Sequence, residues 1–427
     1  MDELNIDELR KASLRLASSR GFERNEALDS VAKALEENAD YIFSQNRKDL
    51  ENAEGTVSPS VMKRLLFDEG KLETVVSGIR SIMGQKDPVG RVISARELDE
   101  GLILRQVSVP IGVIGMIFEA RPDALVQMVS LAIKSGNGLI LKGGSEARLS
   151  NRALFETIVK GLDDSSLGSS FLMLLESRED VSRMLSMNGK IDLIIPRGSN
   201  EFVKYIMHNT DIPVLGHADG ICSVYVDESA DLEKAVRVAV DSKIQYPAAC
   251  NAVETILVNR KVSDRFYPLL ASEFEKNNVK VHADKEALSF FRNAVAATAD
   301  DWKTEYLSPE CAIKTVGSLE EAIEHIATYS SHHTDAIVTE NEEAWNISRN
   351  SVDSADVFRN CSTRFADGYR FGLGAEVGIS TSKIHARGPV GIEGLMSYRY
   401  ELSGNGHRVE DYSGENARSF THKELEV

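Results

Sequence analysis

The chain has 427 residues, which is too long for one ordinary hydrophobic core, so two or more domains are expected. Its net charge of −17 at pH 7 argues against a nucleic acid or an anionic membrane as a partner, because phosphate groups are held by clustered Lys and Arg. The amino terminus lacks the features of a signal peptide, and no apolar run reaches the about 20 residues that span a bilayer. We therefore expect a cytoplasmic protein.

Roughly the first 85 residues predict helices, because their apolar and charged positions alternate at helical spacing. Between residues 102 and 109 the pattern changes to the period of two that is typical of a β-strand. A long strand outside the main sheets is a candidate oligomerisation arm, which we place near residues 96–111. This arm leads us to expect a homodimer or a higher homo-oligomer.

From Pro110 onward short apolar strands alternate with helices, which predicts parallel sheets with right-handed crossovers. The predicted fold class is α/β, with two Rossmann-like parallel-sheet domains and the small β arm. Ligands of such sheets bind at the carboxyl ends of the strands. The expected strands are residues 113–118, 139–141, 171–175, 191–195 and 221–226, followed by 253–258, 312–316 and 336–338, with helices near 264–277 and 319–329.

Cys250 is the main candidate for a catalytic residue, because it lies in a turn of small residues immediately before an apolar strand. A thiolate attacks acyl carbon well and also leaves well, although little of an ordinary thiol is ionised at neutral pH. The alternative is a buried structural cysteine, which is the common state of free cysteines. Together with Cys222, Cys311 and Cys361 it forms no Cys-x-x-Cys pair, and His-Glu-x-x-His is absent from the sequence, so no metal site is expected.

Three strand ends are predicted to converge on a dinucleotide, and they carry Lys142, Gly198 with Ser199, and Arg121. Lys142 ends one strand and is followed by two glycines, and Ser145 is placed to cap the next helix. The Lys142 ammonium can reach ribose hydroxyls or a 2′-phosphate. After another strand, Gly198 and Ser199 begin a helix whose N–H groups favour an anion, so either the pyrophosphate or the nicotinamide side of the cofactor is expected there. The alternative for each is a glycine turn that only caps a helix.

Two arginines are candidates for binding an anionic substrate, which a chain of this charge must capture through a local positive site. Arg121 follows a strand end in a proline turn, although arginines beside carboxylates also form surface ion pairs. Arg364 lies in a long loop that is rich in glycine and hydroxyl groups, and such loops are costly to order without a ligand. Its guanidinium suits a bidentate contact with a substrate carboxylate.

Short segments of distinctive sequence occur in order along nearly the whole chain. They are Val109-Pro-Ile-Gly-Val-Ile-Gly115, Phe118-Glu-Ala-Arg-Pro122, Leu141-Lys-Gly-Gly-Ser-Glu146, Ile195-Pro-Arg-Gly-Ser199, His217-Ala-Asp-Gly220, Pro247-Ala-Ala-Cys-Asn-Ala252, Ser362-Thr-Arg-Phe365, Phe371-Gly-Leu-Gly-Ala-Glu376 and His385-Ala-Arg-Gly-Pro389. Together they resemble the γ-glutamyl phosphate reductases of the aldehyde dehydrogenase superfamily.

The resemblance implies an aldehyde dehydrogenase-like fold and a defined reaction. That reaction is the NADPH-dependent reduction of L-glutamyl 5-phosphate to L-glutamate 5-semialdehyde with release of inorganic phosphate, the second step of proline biosynthesis. The resemblance also implies that Cys250 is the nucleophile and that the acyl group passes through a Cys250 thioester.

The resemblance further implies which residues bind the cofactor. Lys142 and Glu146 match the strand end that contacts the cofactor ribose, and Gly198 and Ser199 match the cofactor turn. Glu305, in Glu305-Tyr-Leu-Ser-Pro309, is similar in spacing to the element that holds the nicotinamide ribose.

The sequence departs from the hydrolytic members of the superfamily at two places. The segment 217–220 lacks their general-base glutamate, so water is not activated and acyl transfer to phosphate is favoured. Their oxyanion asparagine is also absent, which leaves the backbone N–H of Cys250 and the side chain of Asn251 as candidate donors. The candidates for binding the amino-acid end of the substrate are Arg121, His217, Asp219 and Arg364.

Three regions follow from this interpretation. Residues 1–224 form an NADP-binding domain that includes the arm, residues 225–385 form a catalytic domain with Cys250, and residues 386–427 return to the arm and end in a polar, loosely ordered tail. The alternatives are another activity of the superfamily, either hydrolytic or coenzyme A-acylating, and a non-catalytic binding protein of the same fold.

Overall fold

The computed structural model describes residues 6–177, 179–216 and 219–427, and the chain divides into two units. Unit 1 comprises the residues up to Leu215 together with Leu373–Gly378 and Val390–Val427, and unit 2 comprises Gly216–Gly372 and Ile379–Pro389. The sequence predicts a boundary at residues 224 and 225, which lie inside a strand. The structure has it at Leu215, because that strand pairs within the sheet of unit 2.

The helices of the described residues are α1 (Ile6–Ser18), α2 (Gly21–Glu37), α3 (Ala39–Ala53), α4 (Pro59–Leu65), α5 (Glu69–Gly84), α6 (Pro122–Ser135), α7 (Arg148–Asp163), α8 (Glu179–Leu185), α9 (Asn200–His208), α10 (Leu232–Ile244), α11 (Arg260–Lys276), α12 (Leu319–Tyr329) and α13 (Glu342–Ser351). None of these helices is both long enough and apolar enough to cross a membrane.

The strands are β1 (Val92–Asp99), β2 (Leu102–Pro110), β3 (Val113–Phe118), β4 (Gly138–Gly143), β5 (Leu172–Leu175), β6 (Leu193–Arg197), β7 (Cys222–Val226), β8 (Val253–Asn259), β9 (Lys280–Ala283), β10 (Val295–Ala296), β11 (Glu310–Val316), β12 (Thr334–Val338), β13 (Asp356–Arg359), β14 (Gly378–Ser380), β15 (Gly388–Val390), β16 (Met396–Ser403) and β17 (Lys423–Leu425).

The parallel sheet of unit 1 has the strand order β5-β4-β3-β6. Strands β3 and β4 are buried along their whole length, as expected for continuous apolar runs. The chain adds β4 and β5 on one side of β3 and then β6 on the other side. Such a reversal opens a crevice at the carboxyl ends of the strands, which is where ligands of open α/β sheets bind.

The antiparallel sheet of unit 1 has the order β16-β2-β1-β17 and contains the predicted arm. The tail is more ordered than its polar sequence predicts, because β17 pairs with β1 so that Leu425 lies opposite Ala95. The Tyr412 and Phe420 rings in the same tail stack with their centroids 4.5 Å apart. The tail therefore completes a sheet and is not a loose appendage.

The parallel sheet of unit 2 has the order β10-β9-β11-β8-β7-β12-β13. Its central strand β8 is fully buried, and Phe266, Leu270 and Phe274 of α11 belong to the apolar core around it. The predicted α/β class with two parallel sheets is confirmed.

Candidate active site

Cys250 lies in the turn between α10, which ends at Ile244, and β8, which begins at Val253. Cys250 is only partly buried, as a nucleophile that must meet a substrate requires. Because the turn precedes β8, it lies at the amino edge of the parallel sheet and not at the carboxyl edge, where ligands of such sheets usually bind. The backbone N–H of Cys250 donates to no acceptor among the described residues, which leaves it available to an oxyanion.

The backbone of Cys250 passes directly against Gly220. A Cβ atom at Gly220 would lie 2.1 Å from the Cys250 carbonyl oxygen, so only glycine fits at that position. The same carbonyl accepts a hydrogen bond from the Cys222 thiol at 3.3 Å. The glycine that ends the segment 217–220 therefore has a packing role beside the candidate nucleophile.

The other three thiols are poor candidates for the nucleophile. Burial raises the pKa of Cys222 well above its usual value, raises that of Cys311 to about 12, and also raises that of Cys361. These thiols stay protonated at neutral pH, and Cys222 and Cys311 are fully buried.

Asn251 is buried, and its side-chain amide donates a hydrogen bond to the carbonyl of Ala366 at 2.7 Å. This contact ties the turn of the candidate nucleophile to the loop that carries Arg364. The second candidate for the oxyanion donor is thus already engaged in a structural hydrogen bond, whereas the N–H of Cys250 is not.

Arg364 lies near Cys250 in unit 2. Its Nε donates to Oε1 of Gln245 at 2.8 Å, and its guanidinium carbon lies 5.9 Å from the centroid of the Tyr246 ring. Burial is the main cause that lowers the Arg364 pKa, while a charged Cys250 raises it. The structure therefore brings a half-buried thiol and a mostly buried guanidinium together at one edge of the sheet.

The carboxyl edge of the unit 1 sheet gathers the residues that the sequence predicts for the cofactor. Lys142 is buried at the end of β4, and its ammonium donates to the Gly143 carbonyl at 2.5 Å. The Glu146 carboxylate accepts the backbone N–H of Ala120 at 2.5 Å. The contact between Glu146 and Ala120 joins the segments that follow β4 and β3.

Glu119, which directly follows β3 and which the sequence did not single out, contacts the start of α9. The Glu119 carboxylate accepts the backbone N–H of Ser199 at 3.0 Å, and a Cβ at Gly198 would lie 2.5 Å from that carboxylate. The predicted anion site at Gly198 and Ser199 thus holds an anion that the protein itself supplies. The sequence feature that could have indicated this contact is an acidic residue directly after a buried strand.

Ser145 does not cap the following helix. It lies exposed in a 3-10 turn, Ser145–Ala147, that precedes α7. Asp49 of α3 caps α7 instead, because its carboxylate accepts the N–H groups of Leu149 at 3.2 Å and Ser150 at 2.7 Å. A side chain that is distant in sequence fills the role that the local pattern assigned to Ser145.

The remaining predicted residues lie in loops or at element ends. Arg121 is partly buried immediately before α6, and Asp219 is partly buried before β7. Glu305 is partly buried in the loop before β11. His217 lies outside the described residues. Among the described residues, no group of three or more His, Cys, Asp and Glu side chains is arranged to hold a metal ion.

Comparisons with known proteins identify the family. A model of the aldehyde dehydrogenase family matches residues 3–289. The γ-glutamyl phosphate reductase of Acetivibrio thermocellus is 51% identical over 98% of this chain and 97% of its own length, and that of Natronomonas pharaonis is 50% identical over 99% and 98%. The crystal structure of the γ-glutamyl phosphate reductase from Thermotoga maritima is similar with a TM-score of 0.92 and 39% identity, over 94% of this chain and 98% of that one. The resemblance seen in the motifs is confirmed, and the chain belongs to the γ-glutamyl phosphate reductases of the aldehyde dehydrogenase family.

Proposed function

We propose that this enzyme, a γ-glutamyl phosphate reductase of proline biosynthesis, works by covalent catalysis at Cys250 with NADPH as the reductant. The observation that supports the proposal most directly is the turn of Cys250. It presents a partly exposed thiol with a free backbone N–H beside Arg364, whereas burial raises the pKa of each of the other three thiols.

The Cys250 thiolate attacks the acyl carbon of L-glutamyl 5-phosphate, and a carbon–sulfur bond forms. The backbone N–H of Cys250 donates to the resulting oxyanion. When the carbonyl re-forms, the carbon–oxygen bond to phosphate breaks, inorganic phosphate leaves and a thioester remains on Cys250. When bound, NADPH supplies the hydride that reduces the acyl carbon. The Cys250 sulfur then leaves as a thiolate and L-glutamate 5-semialdehyde is released.

The reaction needs the thioester to be protected from water. The segment 217–220 contains no glutamate that could act as a general base, which favours phosphate over water as the partner in acyl transfer. We assign the amino-acid end of the substrate to Arg364, with Arg121, His217 and Asp219 as further candidates. Arg364 is the choice that the contacts favour, since it lies near Cys250.

Family membership implies a nicotinamide cofactor, and the carboxyl edge of unit 1 fits one. Lys142 supplies a cation at the carboxyl end of β4, beside β3, which suits the 2′-phosphate of NADPH. Glu146, Ser145, Gly198 and Ser199 lie on the loops at the same edge. A phosphate reaches the N–H of Ser199 only when the Glu119 carboxylate leaves it. Glu305 of unit 2 is proposed to bind the nicotinamide ribose.

The enzyme forms a homodimer or a higher homo-oligomer through the antiparallel sheet of unit 1, whose strand β16 exposes Tyr398, Tyr400 and Leu402 on one face. Its location is cytoplasmic.

A cysteine substitution tests the covalent route. Cys250→Ser should lower the rate of NADPH oxidation with L-glutamyl 5-phosphate by at least about a thousandfold, because the hydroxyl is a much weaker nucleophile than the thiolate. The matched control is Cys361→Ser, which should keep the rate within about twofold. Near-normal turnover by Cys250→Ser would refute the thioester.

The reverse reaction separates the alternatives. Reduction of NADP by the semialdehyde should require inorganic phosphate or arsenate. Reduction that proceeds without either anion would indicate a hydrolytic enzyme, and reduction that requires coenzyme A would indicate an acylating one.

A further inference from the structure

Lys243 and Glu254 form an ion pair inside unit 2 at the two ends of the turn that carries Cys250. The Lys243 ammonium lies 2.6 Å from Oε2 of Glu254, and both side chains are fully buried. Lys243 is the penultimate residue of α10, and Glu254 is the second residue of β8. The pair therefore joins α10 and β8, the two elements that flank the Cys250 turn.

A contribution to the stability of the fold does not by itself explain why two charges are buried here. Taking both charges out of water costs free energy that their attraction does not always recover, and well-packed apolar side chains often replace such pairs without loss. Burial raises the pKa of Glu254 to about 8, while Lys243 opposes that increase. The other carboxylate oxygen, Oε1, is buried and has no hydrogen-bond partner among the described residues. The pair therefore fits a positioning role better than a purely stabilising one.

The same carboxylate also faces the loop of Glu305. The backbone N–H of Tyr306 lies close enough to lower the Glu254 pKa, and the charge of Glu305 acts on it in the opposite direction. The Tyr306 hydroxyl donates to Asp301 at 2.7 Å, and Asp301 in turn lies 2.8 Å from Nδ1 of His282. The loop is thus anchored by this cluster, and its residues Glu305 and Tyr306 lie within electrostatic range of the Glu254 carboxylate.

We propose that the Lys243–Glu254 pair is a positioning device that holds the Cys250 turn and the Glu305 loop in one fixed arrangement. Neither side chain contacts the substrate in this assignment, and both act through the elements that they join. The inference rests on the proposed roles of Cys250 and Glu305. Loss of the pair should misplace the sulfur and loosen the Glu305 loop while the sheet remains folded.

The decisive variant is Lys243→Met/Glu254→Met, which removes both charges and keeps side chains of similar length. It should fold with a melting temperature close to that of the unmodified enzyme, while kcat falls about tenfold to a hundredfold and the KM for NADPH rises severalfold. The rate at which iodoacetamide alkylates Cys250 should also change, measured in a Cys361→Ser background. This last measurement needs no turnover, so it reports on the sulfur even if the proposed reaction is wrong.

The matched control is a surface pair that has its lysine on the same helix. Lys234 of α10 lies 2.6 Å from Glu340, and both side chains are partly exposed. Lys234→Met/Glu340→Met should leave kcat, KM and the alkylation rate unchanged within about twofold, because exposed pairs contribute little.

Two results would overturn the inference, one for the double variant and one for Glu254→Gln. One is a folded Lys243→Met/Glu254→Met variant whose kcat, KM for NADPH and alkylation rate all match the unmodified enzyme. If that variant does not fold, Glu254→Gln decides the question, since it keeps the side-chain shape and removes the negative charge. An unchanged kcat and alkylation rate in folded Glu254→Gln would equally contradict a positioning role, whereas a lower kcat with an altered alkylation rate supports it.

Discussion

The position of the Cys250 sulfur depends on the absence of a side chain at Gly220. The backbone of Cys250 lies so close to Gly220 that the carbonyl oxygen, the carbonyl carbon and the Cα all fall within 2.6 Å of where a Cβ would be. Real Cβ atoms do not approach backbone atoms so closely, so any larger residue must displace the turn. The catalytic role proposed for Cys250 therefore depends on Gly220, although this glycine takes no part in the chemistry.

Gly220→Ala should therefore lower kcat by about tenfold to a hundredfold, because a displacement of about 1 Å at a reacting atom is enough for such a loss. Steady-state NADPH oxidation measures the effect, and the alkylation rate of Cys250 shows whether the sulfur has moved. Gly84→Ala in α5 is the control, since a Cβ there meets nothing within 4 Å. Full activity in Gly220→Ala would mean that the turn relaxes without cost.

At the residue scale, the sequence was sufficient for residues whose chemistry is evident from type and position. Cys250 before an apolar strand and Lys142 at a strand end are of this kind. The contacts of Glu119 with Ser199 and of Glu254 with Lys243 were not predictable, because each depends on how elements pack in three dimensions. Glu254 did leave a signal, namely a carboxylate in a strand whose other residues are mostly apolar and carry no charge.

Elements were predicted best where their periodicity was strong. Strand β3 and helix α12 have the expected bounds, whereas β6 was expected at 191–195 and is observed at Leu193–Arg197. The observed strand includes Pro196, which is tolerated because β6 is at the edge of its sheet. The cap of α7 was not predictable because Asp49 belongs to a helix about a hundred residues earlier in the chain.

The cap of α7 can be tested by substitution. Asp49→Ala should reduce the free energy of unfolding by about 1–3 kcal/mol, because the N–H groups of Leu149 and Ser150 lose their acceptor in a buried site. Urea denaturation measures the change. Asp29→Ala, which removes an exposed pair with Lys33, should cost less than about 1 kcal/mol. Equal stability of Asp49→Ala and the unmodified enzyme would show that water replaces the cap.

At the scale of the whole molecule, the antiparallel sheet was only partly predictable. The period-two pattern revealed β2, but the pairing of β17 with β1 joins residues that are far apart in the sequence, such as Ala95 and Leu425. The polar sequence of the tail gives no indication of that partner. The unit boundary at Leu215 was missed for a similar reason, since it depends on which strands pair and not on a change in composition.

The proposed oligomer should depend on β16. Tyr398→Ser/Tyr400→Ser/Leu402→Ser removes the apolar side chains from its exposed face and leaves its backbone pairing with β2 intact. Light scattering should then give the mass of one chain, whereas Phe22→Ser on α2, which also removes an exposed aromatic ring, should keep the oligomer. An unchanged mass in the triple variant would place the interface elsewhere.

The discontinuity of unit 1 has a consequence for protein synthesis. Strand β2 emerges from the ribosome long before β16, with which it pairs along its length, because all of unit 2 is translated between them. Domains generally fold as the nascent chain appears, so unit 2 completes its own sheet while β2 still exposes an unpaired edge. Strands β16 and β17 thus finish the part of the enzyme that began to fold first, and until they emerge the nascent chain carries an edge that is prone to aggregation.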